Sequence, residues 1–171
     1  MKRFLIILAA ILAIILGAAF LTPFREIQDH VTFYYAQSDF SYASPEGVIG
    51  AEIREVNGRC DDLPYLLALY LEGPLAPSLT SPFPGKGTTQ ILELERKDQV
   101  IEVKLSNLDV TMTDSQFSLA CACLTKTCLG LTDAQAVKIN SGSRCVTMDH
   151  HNLMVFDESA SVQLPQQEDT T

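Results

Sequence analysis

The sequence predicts an α+β fold, a two-layer sandwich with two helices on one face of a four- to five-stranded antiparallel or mixed sheet, preceded by an N-terminal transmembrane helix. Three observations carry this expectation. Phe4 to Leu21 is an unbroken apolar run. Two later segments, around Leu63–Leu71 and Phe117–Cys128, place apolar residues at helical spacing. Five short segments alternate apolar and polar side chains with period two, as half-buried strands do. Two helices with one apolar stripe each are most simply buried on one side of a shared sheet.

At about 1.5 Å per residue the run from Phe4 to Leu21 reaches roughly 27 Å, close to the thickness of the hydrocarbon layer. Lys2 and Arg3 precede it and an acidic chain follows, which puts the amino terminus in the cytoplasm and the rest outside. Residues 1–24 are therefore read as a single-pass anchor and 25–30 as a polar linker. The other reading is a secreted protein cleaved near Ala19, where Gly17-Ala18-Ala19 offers a small-residue site.

Val31, Phe33 and Tyr35 alternate with Thr32, Tyr34 and Ala36 as the first strand, and Gln37 to Gly47 is a loop by composition. Ile49, Ala51 and Ile53 form the expected apolar face of the second strand, ended by the turn at Asn57-Gly58. Asp61 or Asp62 caps the first helix and Pro64 fits its first turn, where a missing N–H is harmless. Leu63, Leu66, Leu67, Tyr70 and Leu71 make its stripe. Gly73 supplies a left-handed end and Pro74 forbids continuation. The Pro/Gly-rich residues 74–89 connect to a hairpin, in which Leu92 and Leu94 face Ile101, Val103 and Leu105 across the turn Arg96-Lys97-Asp98-Gln99. Thr113 and Gln116 form a capping box for the second helix, whose face is Phe117, Ala120, Cys121, Leu124 and Cys128. Val137 and Ile139 mark the next strand. Residues 143–158 read as a C-terminal hairpin, with Arg144–Met148 and Leu153–Phe156 about a turn at Asp149-His150-His151-Asn152, and 159–171 as a disordered tail.

The net charge of −9 becomes −11 once Lys2 and Arg3, the charges of the first 24 residues, are set aside. Such a surface repels nucleic acid and anionic headgroups, so no nucleic-acid partner is expected. About 115 to 125 structured residues suffice for one core.

Leu71-Glu72-Gly73-Pro74, the loop from Ser81 to Thr88, Val103-Lys104-Leu105-Ser106, and Leu131-Thr132 leading to Val137-Lys138-Ile139 follow one another in an order that resembles the GerMN domain. That domain is a small extracytoplasmic module of sporulation and spore germination proteins. The likeness spans residues 30–142. It implies a two-layer α+β fold akin to ring-building domains of sporulating cells. It also implies a scaffold acting through envelope or sporulation proteins, or through self-association, rather than an enzyme. The chain departs from the family in carrying one copy of the domain, a membrane anchor through residues 4–21 instead of a lipidated Cys, and a cysteine-rich second helix.

No catalytic, cofactor or metal set is expected. Cys121, Cys123 and Cys128 lie on one helix and splay over different faces, which suits packing with one exposed thiol better than metal ligation. A Cys60–Cys145 disulfide is the one sensible intramolecular pairing, free thiols being the alternative. Cys60 or Cys145 with His30, His150 or His151 could in principle serve a thiol hydrolase, but no local motif supports a pair. Glu93 with Glu95, Asp61 with Asp62, and Asp157 with Glu158 read as solvated charge. Tyr34, Tyr35, Phe40 and Tyr42 are the residues through which a cell-wall glycan would be held, the alternative to protein contact.

Overall fold

A computed structural model describes residues 30–39, 47–85 and 87–157. The expected transmembrane segment, the linker before His30, Phe40, Tyr42, Glu158 and the tail lie outside these residues. Among the described residues no helix is long and apolar enough to cross a membrane.

β1 (His30–Gln37) and β2 (Ile49–Glu55) pair antiparallel, from His30 opposite Glu55 to Ala36 opposite Ile49. Val31, Phe33 and Tyr35 are buried, as their alternation requires. β2 presents the opposite face from the one expected. Directly opposed residues of an antiparallel pair share a face. Phe33 opposes Glu52 and Val31 opposes Arg54, so both charges point inward while Ile53 is 73% exposed. The two strands compete for orientation, and the aromatic pair on β1 buries more surface than Ile49, Ala51 and Ile53 could. Because side chains alternate strictly, that choice turns every residue of β2 over.

α1 (Leu63–Leu71) starts at Asp62, whose carboxylate accepts from the Tyr65 N–H at 3.1 Å, with Pro64 in its first turn. Leu66, Leu67 and Tyr70 are buried. Tyr70 stacks on Tyr35 with ring centroids 4.8 Å apart and meets Phe83 edge-on at 6.3 Å. Gly73 has φ +93° and ends the helix as expected. Within the following connector, β3 (Leu79–Thr80) adds two residues to the far side of β1, a pairing its composition did not announce.

β4 (Ile91–Lys97), β5 (Val100–Leu105), β6 (Ala136–Ser141) and β7 (Arg144–Asp149) form a second sheet in that order. β5 and β6 run parallel, and the crossover that parallel strands need is α2 (Asp114–Leu131). The capping box at Thr113 and Gln116 is formed. On β4 the register shifts between Ile91 and Glu93. The bulge turns Ile91 and Leu94 inward together and leaves Leu92, expected inside, 59% exposed.

The single sheet of the sequence expectation is thus two, of three and four strands. Two features explain the division. Residues Ala120, Cys121, Ala122, Cys123, Leu124 and Thr125 are all buried, so this part of α2 has no solvent face. It packs against β1 of one sheet and against β6 and β7 of the other. The free side of β1 is also closed by side chains. The Tyr34 N–H donates to Thr127 Oγ1 at 3.0 Å, and the Tyr34 carbonyl accepts from the Tyr70 hydroxyl at 3.0 Å. No strand of the second sheet can pair there.

Residues 150–157, expected as part of a hairpin, form α3 (His150–Asp157), and β7 pairs with β6 instead. Asp149 and Asn152 cap this helix reciprocally, each side chain accepting from the other's backbone N–H at 3.0 to 3.1 Å. That exchange is a capping box written with Asp and Asn.

Candidate functional site

The segment that ends α1 is held from beneath by β2. Arg54 donates to the Leu69 carbonyl at 3.3 Å, to the Gly73 carbonyl at 3.0 Å, and through Nε to Glu52 at 3.1 Å. The second oxygen of Glu52 accepts from the N–H groups of Leu75 and Ala76, both at 2.8 Å. Arg54 is 8% exposed and Glu52 9%. Burial alone would raise the Glu52 carboxyl, but the hydrogen bonds from Ala76, Arg54 and Leu75 outweigh it and hold the group below its usual range. The pair is a buried joint that fixes where the chain turns away from the helix.

Immediately before this turn, Glu72 lines an open groove of about 760 Å³. Pro64, Ala68 and Leu71 of α1, with Glu72 that caps its end, form one wall, and Thr89, Ile91 and Leu94 are among the residues of the other. Positions 64, 68, 71 and 72 share a helix face by their spacing of four, three and one. The sequence reading assigned α1 one stripe and missed this second surface. The available clue was that all nine residues of α1 are apolar or aromatic. A helix apolar all round has more than one face to cover.

The thiols make no site. Cys121, Cys123 and Cys128 are all buried, so the expected exposed thiol on this helix is absent. Burial pushes Cys121 and Cys128 up to about 12 and raises Cys123 as well, leaving no useful thiolate near neutrality. Cys60 is half-buried and Cys145 is exposed, and the Cys60–Cys145 bridge is not formed. Among the described residues no three His, Cys, Asp or Glu side chains are grouped to hold a metal ion.

The other candidates disperse. Glu93 and Glu95 lie in a ladder of exposed ion pairs, Lys104 with Glu93 and Lys97 with Glu95 and Glu102. Asp62 caps α1 and pairs with Arg59 at 2.5 Å, while Asp61 is exposed. His150 and His151 are exposed at the start of α3 and His30 at the start of β1. Tyr35 is in the core and Tyr34 only half-buried, so the two do not share a binding surface.

No protein-family model matches the chain, and no curated protein matches it. Among solved structures, the chain is similar to a putative lipoprotein from Clostridium perfringens, with 16% sequence identity. That alignment covers 72% of this chain and 88% of the other, with a TM-score of 0.43.

Proposed function

We propose that this chain is a membrane-anchored extracytoplasmic interaction domain of the GerMN kind, working in the envelope by contact with other proteins or by self-assembly. The observation that carries the reading is the open, mainly apolar groove between α1 and β4, a surface built for contact. Two sequence features support the setting: the apolar run after Lys2-Arg3, and the order helix, Gly73-Pro74, proline loop, hairpin, capped helix and strand. The association with sporulation or germination rests on that order alone.

Photo-crosslinking in the producing cell tests the reading. A benzophenone side chain is placed in the full chain at Ile53, Leu75, Leu92 or Val110, the exposed large apolar positions, and at Ala68 in the groove. The expected result is a discrete adduct of defined mass from at least one position. A folded, membrane-held chain that gives no adduct from any of the five would overturn the proposal.

A further inference from the structure

Resting on the interaction reading, we infer that the groove between α1 and β4 takes an extended, apolar and cationic peptide segment of a partner protein, added as a strand to the outer edge of β4. Four observations converge on it.

β4 is the outermost strand of its sheet among the described residues, with β5 on one side and no described strand on the other. An open edge beside a groove is the arrangement that receives a peptide by strand addition, with main-chain bonds giving affinity and pockets for alternate side chains giving selectivity. The opposite edge of that sheet, β7, packs instead with α3.

The dimensions fit. The helical wall from Pro64 to Glu72 runs about 12 Å at 1.5 Å per residue. An extended peptide covers that distance in about four residues, of which two point into the groove. A volume of about 760 Å³ leaves room for both.

The charge selects. Glu72 is the one ionisable group among the nine described residues that line the groove, it is exposed, and the chain carries −9 overall. A lysine or arginine at the Glu72 end completes the match, and an acidic peptide is repelled.

The groove wall also contains an unmet hydrogen-bonding group. Thr89 is only 6% exposed and its hydroxyl has no partner among the described residues. The flanking Thr88 carbonyl and Gln90 N–H are both tied to Ser106, so the local backbone is already fixed. A buried hydroxyl left unpaired is unfavourable, and a peptide group laid along β4 is the kind of partner it lacks.

The test uses the full chain in lipid nanodiscs and three synthetic seven-residue peptides, read by fluorescence anisotropy. One alternates valine and leucine with serine and has a terminal lysine. The second carries glutamate in place of the lysine, and the third has a central proline that removes a main-chain donor. The lysine peptide is expected to bind, the glutamate peptide about fivefold more weakly, as exposed charge pairs allow, and the proline peptide not measurably. Glu72→Lys should reverse the preference, and Ala68→Phe, which fills the groove from an exposed position, should lower affinity more than tenfold while the melting temperature holds. Bound peptide should protect β4 amides from exchange and leave β7 amides unchanged.

Absence of binding by every peptide, equal binding of the lysine and glutamate peptides, or insensitivity to Ala68→Phe would each overturn the inference. Crosslinks from Ile53, Leu75 or Val110 alongside such a result would sink the groove and leave the broader interaction reading standing. Adducts composed of two copies of this chain, formed through Ala68, would replace the foreign peptide with self-assembly and so also overturn it.

Discussion

Arg54, on β2, donates to the carbonyl of Gly73, nineteen residues further on, at 3.0 Å, and so ties the end of α1 to β2. Its partner Glu52 holds the next turn through Leu75 and Ala76. Removing one member of such a buried pair leaves the other uncompensated. Glu52→Gln is expected to lower stability by about 3 to 5 kcal/mol in urea unfolding, in the range for broken buried ion pairs.

Acid should reveal the same pair. The Glu52 carboxyl is held low in the folded protein, so its contribution is present above the unfolded-state value of about 4.3 and is lost as the pH falls through the folded value below it. Melting temperatures measured from pH 7 to pH 2 should drop below about pH 4, and the drop should be shallower in Glu52→Gln. Equal slopes would mean that other carboxylates govern the acid limb.

The inverted face of β2 separates two substitutions that hydropathy would equate. Phe33→Ala empties a fully buried ring position and is expected to cost about 3 to 5 kcal/mol. Ile53→Thr alters an exposed position and should stay within about 0.5 kcal/mol of the parent. A large loss at Ile53 would show that its outward face is covered.

Two threonines two residues apart on α2 should respond with opposite sign. Thr127 satisfies the Tyr34 N–H, so Thr127→Val leaves a backbone donor unpaired and should cost about 1 to 3 kcal/mol. The buried Thr125 hydroxyl has no partner among the described residues, so Thr125→Val, nearly identical in shape, should be neutral or stabilising. Thermal melts of the two variants side by side decide the matter.

Thiol accessibility gives a count that needs no variant. At pH 8 in native buffer, a disulfide-exchange reagent should modify Cys145 first and Cys60 more slowly, and should reach Cys121, Cys123 and Cys128 only on unfolding. The raised thiols of α2 contribute stability that is complete below the unfolded value of about 8.5 and fades as the pH rises toward their folded values. Alkaline melts should therefore fall progressively above pH 9.

Much of this architecture is legible in the chain. The alternation of Val31, Phe33 and Tyr35, the stop at Gly73-Pro74, the box at Thr113 and Gln116, and the strand at Val137 and Ile139 each state a local instruction that tertiary structure obeys. What escaped depends on partners distant in sequence. Nothing local in Ile49 to Arg54 says that Phe33 will outbid Ile53 for the interior, and nothing in Cys123 or Thr125 says that strands of two sheets will pack on their helix. α3 was hidden by a cap in unfamiliar letters, Asp149 and Asn152. The groove was hidden because the stripe Leu63, Leu66, Leu67, Tyr70 and Leu71 accounted for the helix before Ala68 and Pro64 were asked what they faced.

The reversed strand bears on how this protein drifts through evolution. Along β2, tolerance to change should run against hydropathy: the exposed Ala51 and Ile53 are free to diversify among homologous sequences, while Glu52 and Arg54 beside them are locked. Glu52 and Arg54 answer to each other and to the path of residues 73–76, so they should be inherited as a unit or replaced as one. A covariation signal joining positions 52 and 54, beside an Ala51 and an Ile53 that vary at will, is the genealogical imprint of the buried joint.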